Sequence, residues 1–276
     1  MPLSISFIAI ILGVVEGLTE FLPVSSTGHL IVFYRLLGFK TLLASADKAE
    51  LFEIVIQLGA ILAIGVLYRK RLIDSLVAKS TETKAGRLRT NLFIAFLPAA
   101  IVGLLTHKFI TTYLFGPLTI GITLVVGGII MIVIERTTKE DDRTIVVDTM
   151  SWKDALVIGL AQTLSLVPGT SRSAATIMGG MLRGVKRAAA TEFSFLLAFP
   201  VMIAASGYEL MKYKDLLTRD VLGMIMLGFI TSFVVALLVV AWFVRYIQRH
   251  QFIGFGFYRI FFGAVVLALW AAKVLA

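Results

Sequence analysis

The chain has 276 residues, of which 58% are hydrophobic and only 16% charged, and it carries a net charge of +9. Its mean hydropathy of +0.93 excludes a soluble globular domain, where about a quarter of residues are charged. There is no cysteine, so disulfides and thiolate chemistry are excluded as well.

In chain order, an apolar helix is expected over residues 3–22, ending in Glu16 and Glu20. Pro23 interrupts it, and Ser25 or Ser26 caps a second helix running to Gly38. That second piece, about 20 Å long, is too short to cross a bilayer. Helix, break and short helix read as a re-entrant hairpin, with an intact first span as the rival. Broken backbone at membrane depth is tolerated only where protein buries it or water reaches it. Apolar segments follow at 51–68, 91–107 and 117–135, with a basic loop at 69–89 and a polar linker at 136–150. The pattern then restarts. Residues 151–167 and 171–182 form a second Pro-broken hairpin, and spans are expected at 191–210, 221–244 and 255–273.

The expected fold is therefore an all-α polytopic membrane protein, one integral membrane domain over 1–276. It consists of two repeats, about 1–140 and 148–276, each a re-entrant hairpin plus three transmembrane helices. An odd number of crossings per repeat gives the halves opposite orientation, and inverted repeats place their broken helices together near the midplane. Lys and Arg cluster in short loops, as orientation signals do. If residues 69–89 are cytoplasmic, that side holds 16 of the 26 basic residues, Lys139 among them, and the outside holds 8. This bias places both termini outside with the first hairpin opening outward. No basic residue precedes Arg35, so a signal-peptide n-region is not expected.

The polar residues concentrate at the two breaks. Glu16 and Glu20 share one helix face, and Ser26 and His29 are close enough for an imidazole to act on a hydroxyl. The helix opened after Pro23 offers free N–H groups to an anion. The second break, Pro168-Gly-Thr170-Ser171-Arg172-Ser173, repeats that feature and adds a guanidinium suited to phosphate. Ser and Thr in membrane helices commonly cap or pack, and a lone histidine is commonly structural. Two intramembrane glutamates are harder to explain that way, since each costs about 3 kcal/mol or more to bury.

Glu16, Glu20, Glu53 and Glu192 sum to −4 against +2 from Arg172 and Arg259, so a diphosphate needs a divalent cation or protons beside it. Mg²⁺ or Ca²⁺ bridging Glu16, Glu20 and phosphate oxygens meets that need. Glu53 and Glu192 are equally read as structural. Arg259, about five residues inside the last span, is assigned to the site.

The stretch Glu16-Gly-Leu-Thr-Glu20-Phe-Leu-Pro23-Val-Ser25-Ser26-Thr27-Gly28-His29, followed by Pro168-Gly-Thr-Ser-Arg-Ser, closely resembles the undecaprenyl-diphosphate phosphatase family associated with bacitracin resistance. The resemblance extends over essentially the whole chain, with one departure: the family usually has Gly after Ser-Arg-Ser, and this chain has Ala174. It implies an enzyme of the bacterial plasma membrane that removes the terminal phosphate of undecaprenyl diphosphate, a lipid carrier of cell-wall synthesis. It further implies Ser26 as nucleophile, His29 as its base or acid, Glu16 and Glu20 as metal ligands, and Arg172 as phosphate clamp. Ser25, Thr27, Thr170, Ser171, Ser173 and Arg259 would supply further substrate contacts. The sequence does not separate a phosphoseryl intermediate from direct attack by water.

The rival from another class is a polyprenyl-phosphate transporter on the same inverted repeat, although transport alone needs no nucleophile. Nothing points to nucleic acid, and a homo-oligomer is compatible with the sequence.

Overall fold

In the computed structural model, residues 4–43, 45–138 and 143–275 are described, so part of the central linker, with Lys139, lies outside them. The first hairpin is α1 (Ile5–Thr19) and α2 (Ser26–Leu36). A short α3 (Phe39–Leu43) leads to the long α4 (Ala46–Leu67), then α5 (Arg69–Val77), α6 (Lys84–Phe109) and α7 (Pro117–Thr137). The second hairpin is α8 (Trp152–Thr163) and α9 (Arg172–Leu182), followed by α10 (Arg187–Tyr213), α11 (Arg219–Ile247) and α12 (Ile253–Ala271). Among the described residues, six helices are long and apolar enough to cross a membrane: α4, α6 with its π-helical extension to Leu114, α7, α10, most of α11, and α12. Among the described residues there is no β-strand, only an isolated bridge between Ile145 and Val185.

Two expectations about elements need correction. The stretch 69–89 is not a plain loop. It contains α5, whose apolar residues Ile73, Leu76 and Val77 are exposed beside Arg69, Lys70 and Arg71, and the first turns of α6. The spans after the hairpins also begin earlier than expected, at Ala46 and Arg187. Their first turns carry charges that a hydropathy reading assigns to loops.

The packing interleaves the two halves. α1 lies on α11 and α8 lies on α6, while α7 pairs with α12 and α4 with both α10 and α11. Small residues permit the closest approaches. A Cβ at Gly17 would sit 2.7 Å from the Ser232 carbonyl oxygen on α11, so only glycine allows these backbones to touch. One end of the bundle is fastened by a buried ion network. Glu135, at the end of α7, accepts from Arg187 Nη2 at 2.6 Å and from the Phe252 backbone N–H at 3.1 Å, with Arg143 Nη1 3.7 Å away.

Candidate active site

The two breaks are built alike. Ser25 caps α2 at φ 71°, ψ 100°, and Ser171 caps α9 at φ 72°, ψ 118°. Positive φ away from glycine costs about 1–3 kcal/mol and persists only where the surroundings fix it. Each serine hydroxyl accepts the backbone N–H three residues on, from Gly28 and from Ala174, both at 3.3 Å. Ser26 and Arg172 thereby become the first residues of their helices. Gly169, at φ +89°, is required by space as well: a Cβ there would lie 2.1 Å from Thr123 Oγ1 and 2.8 Å from Ile120 Cα.

Glu20 joins the breaks. Ser26 Oγ donates to Glu20 Oε2 at 2.6 Å, and Arg172 Nη2 donates to Glu20 Oε1 at 3.3 Å. Arg172 is held from behind by α10, where its Nη1 donates to the Ser194 carbonyl at 3.0 Å. Ser194 is itself fixed through its hydroxyl by Thr176 at 2.7 Å. The guanidinium also lies 5.7 Å from the centre of the Phe21 ring, which packs edge-on against Phe195. Arg172 Nε is buried without a hydrogen-bond partner, a donor left for an acceptor that the protein does not supply.

Glu16 is 1% exposed and has one carboxyl oxygen without a hydrogen-bond partner, one turn from Glu20 with which it interacts. Glu53 is a further electrostatic neighbour of Glu16. Carboxylates gathered out of water repel unless a proton or cation lies between them. Among the described residues no group of three His, Cys, Asp or Glu side chains could hold a metal. Two protein carboxylates fit a hard cation that completes its shell with phosphate oxygens and water. A lone pair remains on each Glu20 oxygen for that purpose. Glu192, equally read as structural, takes that role: it pairs with Arg71, which also binds Asp148, beside a cavity of about 510 Å³.

The remaining predicted residues divide by what they touch. Ser173 Oγ donates to the Leu22 carbonyl at 3.0 Å, which ties the second break to the first, and lies 3.0 Å from Ser171 Oγ within its own break. Thr27 lines a cleft of about 380 Å³ with Tyr34, Arg35, Glu53 and Pro117. Thr170 is half-buried and makes no side-chain hydrogen bond among the described residues. Arg259 is fully buried and spans both breaks. Its Nη1 donates to the Pro23 carbonyl at 3.2 Å, and its Nη2 to Gly169 at 3.1 Å and Thr123 at 3.2 Å. Arg259 thus staples the two hairpins together, and its buried Nε has no hydrogen-bond partner.

His29 does not pair with Ser26 among the described hydrogen bonds. Its Nδ1 is 2.7 Å from the Ser25 carbonyl and its Nε2 is 2.6 Å from the Tyr258 hydroxyl, while its ring stacks on Phe262 at 4.1 Å. The carboxylate next to Ser26 is that of Glu20. Sequence reasoning missed Tyr258 and Ser194. Tyr258 is adjacent to Arg259, and an aromatic residue flanking an intramembrane arginine was the one available signal.

The bacitracin resistance protein BacA family model matches residues 9–265. The undecaprenyl-diphosphatase of Nitrosomonas europaea is 52% identical over 259 residues, covering 94% of this chain and 92% of that protein. The undecaprenyl-diphosphatase of Aromatoleum aromaticum is 48% identical over 274 residues, 99% of this chain and 98% of the relative. That of Dechloromonas aromatica is 50% identical over 262 residues, 95% and 93% respectively.

Proposed function

The chain belongs to the bacitracin resistance protein BacA family, and we propose that it hydrolyses undecaprenyl diphosphate to undecaprenyl phosphate through Ser26, Glu20 and Arg172. Its relatives are named undecaprenyl-diphosphatases at about half identity over nearly the full chain. The observation that carries the mechanism is the 2.6 Å hydrogen bond from Ser26 to a carboxylate that also holds Arg172. A hydroxyl donating to a carboxylate is a nucleophile with its base already in place.

Ser26 Oγ attacks the terminal phosphorus while its proton passes to Glu20. The bond from phosphorus to the bridging oxygen breaks, and undecaprenyl phosphate leaves. Water then attacks the phosphoseryl group, Glu20 returns its proton to the departing Ser26 oxygen, and inorganic phosphate leaves with both water hydrogens. Arg172 positions the transferred group and takes up its charge, the main demand of phosphoryl transfer. A Mg²⁺ or Ca²⁺ ion held by Glu16 and Glu20 would neutralise diphosphate charge beside these residues. His29, implied by the resemblance as base, has both ring nitrogens engaged elsewhere, so that role falls to Glu20.

The placement in the membrane follows the same reading. The two halves are inverted repeats, supported by the matched positive-φ serine caps. The exchange of partners, α1 on α11 and α8 on α6, supports it too. The family resemblance supports the bacterial plasma membrane, and the charge bias supports a first hairpin that opens to the outer face.

Phosphate release from a polyprenyl diphosphate by purified protein in detergent tests the function, with and without chelator. Chelator-sensitive release that Ser26→Ala abolishes is expected. No release from folded protein would overturn the reading in favour of lipid-phosphate transport, which vesicle flipping would then report.

A further inference from the structure

We infer that Tyr258 is a positioning residue for the Ser26 reaction, acting through His29 on the strained turn at Ser25. This rests on the proposed function, in which Ser26 and Glu20 are the reacting pair. A backbone carbonyl only accepts, so the 2.7 Å contact between His29 Nδ1 and the Ser25 oxygen requires the proton on Nδ1. In the neutral ring Nε2 is then an acceptor, and the Tyr258 hydroxyl at 2.6 Å is its donor. Phe262 also stacks on the ring at 4.1 Å, and the Tyr258 ring lies nearly parallel to it with its centre 5.7 Å away. To reach Ser26 the imidazole would have to give up both hydrogen bonds and this stacking.

The second break serves as an internal control. Ser171 adopts the same positive φ as Ser25. Its carbonyl accepts an ordinary helical bond from Ala175 N–H at 3.0 Å, and Ala175 occupies the place that His29 has in the first break. The strained cap therefore forms without an imidazole. At Ser25 the corresponding backbone bond is long, 3.4 Å, and the His29 ring supplies the shorter contact in its stead. The additional chain of Tyr258, His29 and Ser25 carbonyl exists only in the break that carries the reacting hydroxyl. By fixing the Ser25 peptide it fixes the following residue, Ser26, against Glu20. A misplacement of about 1 Å costs about 100-fold in rate, so a peptide-level clamp matters here.

Substitutions at both ends of the chain separate positioning from proton transfer. The amide nitrogen of asparagine takes the place of histidine Nδ1, so His29→Asn keeps the donor to the Ser25 carbonyl and removes Nε2. His29→Asn is expected to retain kcat within about 10-fold of the unmodified chain, whereas His29→Ala loses about 100-fold or more. Tyr258→Phe, which keeps the ring, is expected to lower kcat about 10-fold with KM within about 2-fold. It should add nothing further in the His29→Asn background, the mark of a residue acting through another. Thermal unfolding in detergent checks that each variant is folded. His29→Asn as inactive as His29→Ala would make histidine the proton carrier and overturn the inference, as would Tyr258→Phe with unchanged kcat. If the unmodified chain releases no phosphate at all, the proposed function fails first, and the two failures are distinct.

Discussion

At the scale of single residues, the polar contacts converge on Glu20, whose two oxygens accept from the Ser26 hydroxyl and the Arg172 guanidinium. Glu20→Gln keeps the shape and removes the base, so kcat should fall about 10²- to 10⁴-fold, measured as phosphate release. A variant within a few-fold of normal would remove Glu20 from proton transfer. Arg172→Lys keeps the charge but loses the fork that reaches Glu20 and Ser194 together. Its kcat/KM is expected to drop about 100-fold or more, and near-normal kinetics would show that a point charge suffices. Glu16, Glu20, Ser26 and Arg172 were legible in the sequence because charged and nucleophilic groups in an apolar chain stand out. The partner of His29 was not, because Tyr258 lies 229 residues away and local spacing suggested Ser26. Glu53 and Glu192 look equivalent in sequence, yet Arg71 and Asp148 take Glu192 into a separate ion cluster.

At the scale of elements, the breaks are specified by backbone conformation. Gly169→Ala forces a Cβ toward Thr123 and Ile120 at a positive φ, so it should destabilise by more than about 1 kcal/mol. It should also lower kcat by shifting the carbonyl that Arg259 holds. Unchanged thermal unfolding and activity would mean the break relaxes freely. At the start of α8, burial pushes the Asp154 carboxyl up, but hydrogen bonds from Ser151 and the Arg183 guanidinium prevail and hold it below 3.8. A depressed carboxyl stabilises the fold above its unfolded value and loses that contribution as pH falls through the folded one. Unmodified protein should therefore lose stability below about pH 3.8, and Asp154→Asn should flatten that part of the curve. An identical pH dependence in both proteins would contradict this. Pro23 and Pro168 announced both breaks in the sequence. α5 was hidden because it opens on Arg69-Lys70-Arg71 and its apolar residues are interrupted by Asp74 and Ser75, a stretch that hydropathy reads as loop.

At the scale of the whole molecule, the order of hairpins and spans was readable from apolar segment lengths, since a bilayer demands about 20 residues per crossing. Which helices would pack together was not, because α1 meets α11 across more than 200 positions through glycines and small side chains. The chain contains no cysteine, so single cysteines report sidedness directly. Ser80→Cys should react with an impermeant thiol reagent only from the cytoplasmic side, and Thr112→Cys only from outside. Exchanged sides would reverse the proposed topology, and both reacting from one side would break it.

The central claim is that the terminal phosphoryl group passes through Ser26, and the stereochemistry at phosphorus tests it most directly. A polyprenyl diphosphate whose terminal phosphorus is an isotopically chiral thiophosphate would be hydrolysed, and the configuration of the released thiophosphate determined. Transfer to Ser26 and then to water is two in-line displacements, so retention is expected. Inversion would mean that water attacks directly, leaving Ser26 to orient it and Glu20 to act on the water.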